Sequence, residues 1–202
     1  MGKREQNKEI NKAIILDAAK EVFADKGYHN ASISDILRKT SLARGTFYLY
    51  FQNKESIFEE LVQILYMEMI KEIKSFQKAA VQVPTSYSET LISTVSSLFW
   101  SMEKHRALVK IFLNSTSEID PVFDKIIDTY MKKLQDTVRS ILMLYYRQRN
   151  LSEKRLQLFT HLIFGGFKEI VYQWLVKEKY EFSVEKEIAE VVNFYARELP
   201  IS

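Results

Sequence analysis

Three prolines and five glycines punctuate 202 residues. A chain with so few breakers lacks the turn material that sheet proteins need, and it is driven toward long helices. Apolar residues recurring at helical period along most of its length point the same way. Hydrophobic residues make up 47% of the chain, enough to bury a sizeable core. The expected fold is all-α, about nine helices. Three short ones form an N-terminal domain over residues 1–53, and a long fourth opens a larger helical bundle over 54–202.

Local signals set the expected boundaries. A first helix over 8–26 carries Ile10, Ile14, Ala18, Val22 and Phe23 on one face and closes at Lys26-Gly27, a cation followed by the glycine favoured past a helix end. Ser32-Ile33-Ser34-Asp35 has the form of a capping box and opens a second helix to about Lys39. A third covers 43–51, and Asn53 caps a fourth that runs to about Gln77. After a linker at Val83-Pro84, Ser86 with Glu89 starts a fifth helix to about Glu103, and a sixth covers 106–114. Asp120-Pro121 places proline at the first position of a seventh, which reaches about Arg149. Ser152 caps the eighth, to Lys177, and Ser183 the ninth, to Glu198.

Several classes of chemistry are excluded by what is absent. Without cysteine there are no disulfides, thiolate metal sites or thiol nucleophiles. His29, His105 and His161 are far apart and in no metal-ligand spacing, so neither metal nor cofactor is expected. No paired carboxylates, nucleophile–base arrangement or glycine-rich phosphate loop appears, so an enzyme is not expected. The charged first dozen residues lack the apolar stretch of a secretory signal, and no apolar run reaches about eighteen residues. A cytoplasmic protein without membrane contact is the expectation. Residues 1–54 carry a net charge of +4 and residues 55–202 a net −1. A basic N-terminal quarter suits a nucleic-acid contact, although a few lysines also make an ordinary solvated surface.

Residues 32–51 hold two short helices joined by a tight turn, the helix-turn-helix arrangement. In the second, Phe47 and Phe51 lie four apart and face inward, leaving Arg44, Thr46, Tyr48 and Tyr50 to point elsewhere. Such a helix offers a guanidinium for guanine, a threonine methyl for thymine and hydroxyls for phosphates. Gly45 lets a backbone approach closely, and Lys54 adds a cation beside the free amides of the next helix. The residues by themselves also admit a plain packing helix with core tyrosines.

The stretch from Ile14 to Leu61 resembles the TetR-family DNA-binding domain. Gly27-Tyr28, the capped second helix, Gly45-Thr46-Phe47-Tyr48-Leu49-Tyr50-Phe51 and Asn53-Lys54-Glu55 carry the resemblance, over about a quarter of the chain. It implies that Ser32 and Ser34 anchor phosphates, that Arg44 and Gly45 read bases with Thr46 facing them, and that Tyr48, Lys54 and Tyr50 grip the backbone of double-stranded DNA. Thr40, Ser41 and Ala43 stand where alanine, glycine and a serine cap are usual. The missing cap is expected to cost roughly 1 kcal/mol of helix order.

Further along, the eighth helix is apolar on two sides, one carrying Leu156, Phe159, Ile163, Phe167, Ile170 and Trp174, the other Leu158, Leu162, Gly165 and Tyr172. A helix of that kind is covered on both sides. One side is expected to join a homodimer interface through Phe159, Ile163, Phe167, Ile170 and Trp174, with Ile188, Val191, Val192 and Tyr195 of the last helix beside them. The resemblance implies the same two helices, and an effector bound within the bundle. Candidate lining residues for a small hydrophobic effector are Leu65, Met69, Phe99, Trp100 and Phe112, then Met131, Leu134, Val138, His161 and Phe164. Residues 162–183 are similar to the acyl-CoA-responsive fatty-acid-degradation regulators of this family. A hydrophobic drug, a sterol-like molecule or a quorum signal suits the same residues. The expected function is a ligand-released repressor, an activator fitting equally well. The alternative is a helical lipid-binding protein without sequence-specific DNA binding.

Overall fold

A computed structural model of the chain describes residues 2–82, 87–113, 121–146, 152–178 and 183–198. Among them are nine α-helices and no strand: α1 Lys3–Lys26, α2 Ile33–Lys39, α3 Arg44–Tyr48, α4 Lys54–Gln82, α5 Tyr87–Lys104, α6 Arg106–Leu113, α7 Pro121–Tyr146, α8 Glu153–Val171 and α9 Val184–Glu198. A single π turn, Tyr172–Val176, continues α8. The linker at Val83-Pro84, Ser86 and Asp120 lie outside the described residues.

The caps read from the sequence form at the atomic level. Gly27 adopts φ +75°, where a side chain would be strained, and its N–H donates to Phe23 O at 3.0 Å. Asn53 Oδ1 accepts from the Ser56 N–H at 2.9 Å, opening α4. Ser152 accepts from the Arg155 N–H at 3.4 Å, opening α8.

Three helices depart from expectation in extent or facing. Helix α4 runs to Gln82, past the expected Gln77. The first helix begins at Lys3, and Ile10 and Ile14 are exposed while Ile15, Ala18, Ala19, Val22 and Phe23 are buried. A series spaced by four advances about 40° around the helix at each step, so the stripe through Ile10 and Ile14 reaches the core face only at Ala18 and Val22. Helix α3 is also shorter than expected and ends at Tyr48, with Leu49 and Tyr50 in the turn that follows.

Packing divides the chain into two units, residues 1–65 with 107–130 and residues 66–106 with 131–202. The first is built on Ile15, Phe23, Ile36, Phe47, Ile57 and Phe58, each almost fully buried. Its aromatic centre brings Phe123, from the first turn of α7, onto Tyr28 and Phe58 with ring centroids 4.4 Å apart in both cases. Stacked rings at that separation add about 0.5–1.5 kcal/mol to the burial of the rings themselves. The second unit packs α5 against α9 and includes α8. No described helix is long and apolar enough to cross a membrane.

Candidate nucleic-acid interface and effector cavity

Helix α2 starts from a reciprocal capping box. Ser32 Oγ accepts from the Asp35 N–H at 3.2 Å, and the Ser32 N–H donates to Asp35 Oδ2 at 3.0 Å. The Asp35 carboxylate is buried, and it also accepts from Lys26 Nζ at 2.6 Å, from Ser32 Oγ at 2.7 Å and from the Arg38 guanidinium. Lys26 first, then Ser32, hold its carboxyl well below the usual carboxylate range, overcoming the opposing effect of burial. A depressed carboxyl contributes stability that is complete above the ordinary aspartate value and declines as pH falls below about 4. Wild type is therefore expected to lose unfolding free energy over that acid range more steeply than Asp35→Asn. Urea melts at stepped pH measure the difference, and parallel curves would contradict the assignment.

The turn into α3 is held by Thr40, whose Oγ1 donates to Leu37 O at 3.1 Å and accepts from the Leu42 N–H at 3.4 Å. Ala43 precedes α3 with no side-chain cap, as its residue type dictates. Phe47 is fully buried and Phe51 nearly so. Opposite them α3 presents an open face, with Arg44 and Gly45 exposed, Thr46 half-buried and Tyr48 exposed. The Arg44 guanidinium carbon lies 5.9 Å from the centre of the Tyr48 ring. A β-carbon placed on Gly45 would meet nothing within 4 Å. Nothing in the chain itself therefore requires glycine there.

The other sequence-derived DNA contacts already have partners within the chain, apart from Ser34, which is exposed. Ser32 belongs to the capping box, and Tyr50 Oη accepts from Asn11 Nδ2 at 3.2 Å. Lys54 Nζ donates to Tyr28 O at 2.9 Å, His29 O at 3.3 Å and Ala31 O at 3.2 Å. Asp35, Lys26 and Asn11 were not among the candidates. The Ser32–Asp35 spacing was the one signal available for them.

The second unit contains a cavity of about 630 Å³ walled by residues of α4, α5, α7, α8 and α9, within the usual range for small-molecule sites. Of the candidates named from the sequence, Met69, Phe99, Leu134, Val138 and Phe164 line it. Five other candidates do not. Trp100 is 52% exposed, on the face of α5 away from the lining residues Val95 and Leu98, and His161 is exposed on α8. Leu65 and Phe112 are buried in the first unit, and Met131 is half-buried outside the wall.

The apolar faces of α8 and α9 border the same cavity. Ile163, Phe167 and Ile170, with Ile188, Val191 and Val192, line the cavity, so these proposed dimer residues face their own bundle. Phe99 packs edge-on to Phe167 at 5.0 Å and tilted to Trp174 at 5.4 Å. Phe159 is half-buried, and the Tyr195 side chain lies outside the described residues. The outward side of α8 is the other stripe, with Leu158 and Leu162 about half exposed and Gly165 open. Thr94 and Glu190 are the two polar side chains among the lining residues, and the exposed Glu190 and Phe194 mark the rim.

Residues 15–61, which hold the second half of α1, α2, α3 and the start of α4, match the family model of bacterial regulatory proteins of the tetR family. The chain carries a TetR-type N-terminal segment. Its TetR-type segment is shared with an uncharacterized helix-turn-helix regulator, YdgC of Bacillus subtilis, at 32% identity over 102 residues, half of this chain. That match spans only 52% of the relative's length. A longer alignment, 28% identical over 173 residues, covers 82% of this chain and 84% of the fatty acid metabolism regulator protein of Bacillus subtilis. The likeness in fold extends beyond residues 15–61. A crystal structure of the transcriptional regulator FadR from Bacillus subtilis in complex with stearoyl-CoA superimposes with a TM-score of 0.68 at 24% identity, covering 89% of this chain and 96% of that one.

Proposed function

We propose that this chain is a TetR-family repressor whose two-fold dimer sets two α3 helices into successive major grooves of a pseudo-palindromic operator. An apolar effector in the cavity then releases the DNA. The observation that carries this reading is the open face of α3, where Arg44 and Tyr48 project beside a glycine with empty space above it. Arg44 is suited to guanine O6 and N7, Thr46 to a thymine methyl, and Tyr48 and Ser34 to phosphates. The outward stripe of Leu158, Leu162 and Gly165 on α8 is the surface we assign to the partner copy.

The wall of the cavity favours a long hydrocarbon chain, with roughly 0.8 kcal/mol gained for each methylene it removes from water. Long-chain acyl-CoA is the effector to try first, given the relative solved with stearoyl-CoA. Release requires the effector to prefer the conformation that does not fit DNA; equal affinity for both states shifts nothing.

The test is binding of the purified protein to the DNA upstream of its own gene and to duplexes selected from a random pool, at fixed salt, with and without stearoyl-CoA. Specific binding that stearoyl-CoA abolishes is the expected result. Specific binding that it leaves unchanged overturns the effector, and no preferred sequence from either source overturns DNA reading in favour of a helical lipid-binding protein. Gly45→Ala serves as the control. It is expected to stabilise the fold by up to about 1 kcal/mol while weakening specific binding about tenfold, because the methyl occupies the approach to the base edges.

A further inference from the structure

Lysine at the first position of α4 is electrostatically out of place, since a helix N-terminus carries partial positive charge and favours anions. The conflict is relieved by where its ammonium goes. Nζ reaches across to the segment that joins α1 to α2 and donates to three carbonyl oxygens, those of Tyr28, His29 and Ala31, at 2.9, 3.3 and 3.2 Å. It also lies 4.3 Å from the centre of the Tyr28 ring, close enough for a cation–π contact. The same ring packs on Phe58 at 4.8 Å and on Phe123 at 4.4 Å. An ammonium has three N–H donors and no acceptor. Three carbonyls use all of them, so none remains to meet a phosphate while this arrangement holds.

We propose that Lys54 is a positioning residue: a latch that fastens the α1–α2 segment onto the first turn of α4 and fixes the angle at which α2 and α3 meet DNA. The inference rests on the DNA-binding reading for its effect on affinity, while the latch itself is testable without DNA. Removing the latch loosens the support of α2 without deleting a DNA contact. The energetic signature differs from that of a phosphate-binding lysine, which adds about 0.9 to the slope of log affinity against log salt.

Wild type and Lys54→Met, which keeps the length of the side chain and removes its charge, are compared by thermal unfolding and by titration with a selected duplex across a salt series. Lys54→Met is expected to melt roughly 5 °C lower. It should also bind at least about tenfold more weakly at every salt, with the slope unchanged. A slope reduced by about 0.9, or a melting temperature that does not move, overturns the proposal. Acylation of wild type by an amine-reactive reagent removes dependence on the variant's folding. Lys54 should react far more slowly than the exposed Lys8 and Lys74 in free protein, with no further slowing on DNA. Fast reaction in free protein with protection only on DNA overturns it as well. If no sequence is selected, the DNA-binding reading fails, and the melting and acylation results still decide the latch.

Discussion

Phe47→Ala is expected to destabilise the N-terminal unit by about 3–5 kcal/mol and to abolish specific DNA binding. Helix α3 has five residues, no side-chain cap and one buried side chain, Phe47. So short a helix is not stable alone and takes its order from packing. Phe47 is fully buried, with Phe51 at 6.5 Å between ring centres. Its removal leaves a cavity under the surface that would face the major groove. Denaturant unfolding followed by circular dichroism measures the loss, and gel shift measures binding. A loss below about 1 kcal/mol with intact binding would mean that other residues hold α3.

The second large effect concerns the cavity. Val138→Trp places an indole into the space walled by α7 and α8. If it displaces about four methylenes of a bound acyl chain, the loss is near 3 kcal/mol, or about a hundredfold in effector affinity. Because the space is open rather than packed, the folded chain should bear the change without the 1–3 kcal/mol that overpacking exacts in a filled core. Calorimetric titration with stearoyl-CoA reads the affinity and a melt reads stability. Unchanged affinity would place the effector elsewhere.

The legible parts of this molecule are those fixed by short-range chemistry. Ser32 with Asp35, Gly27, Asn53 and Ser152 each serve a few adjacent amides or carbonyls, and each forms the cap its residue type implies. The facing of α8 was a different kind of problem. Phe167 and Leu162 lie on opposite sides of a helix that is apolar on both, and which side meets its own bundle depends on helices far away in sequence. Trp100 was misplaced for the same reason, since a large aromatic reads as core until the rest of α5 is seen to turn it outward. The carbonyl cluster around Lys54 was also hidden, because backbone acceptors leave no mark in a sequence.

The cavity has a consequence for how long the protein lasts in a cell. A wall of Met69, Phe99, Leu134, Val138 and Phe164 around unfilled space forgoes contacts that a packed interior would have. Whatever fills that space only in the folded state restores them and raises the unfolding free energy by mass action, about 2.7 kcal/mol at a hundred times its dissociation constant. Proteases that act on transiently opened chains sense this difference. If the proposed effector is what fills the cavity, the unoccupied form would be cleared faster, and the amount of protein would rise and fall with its occupancy.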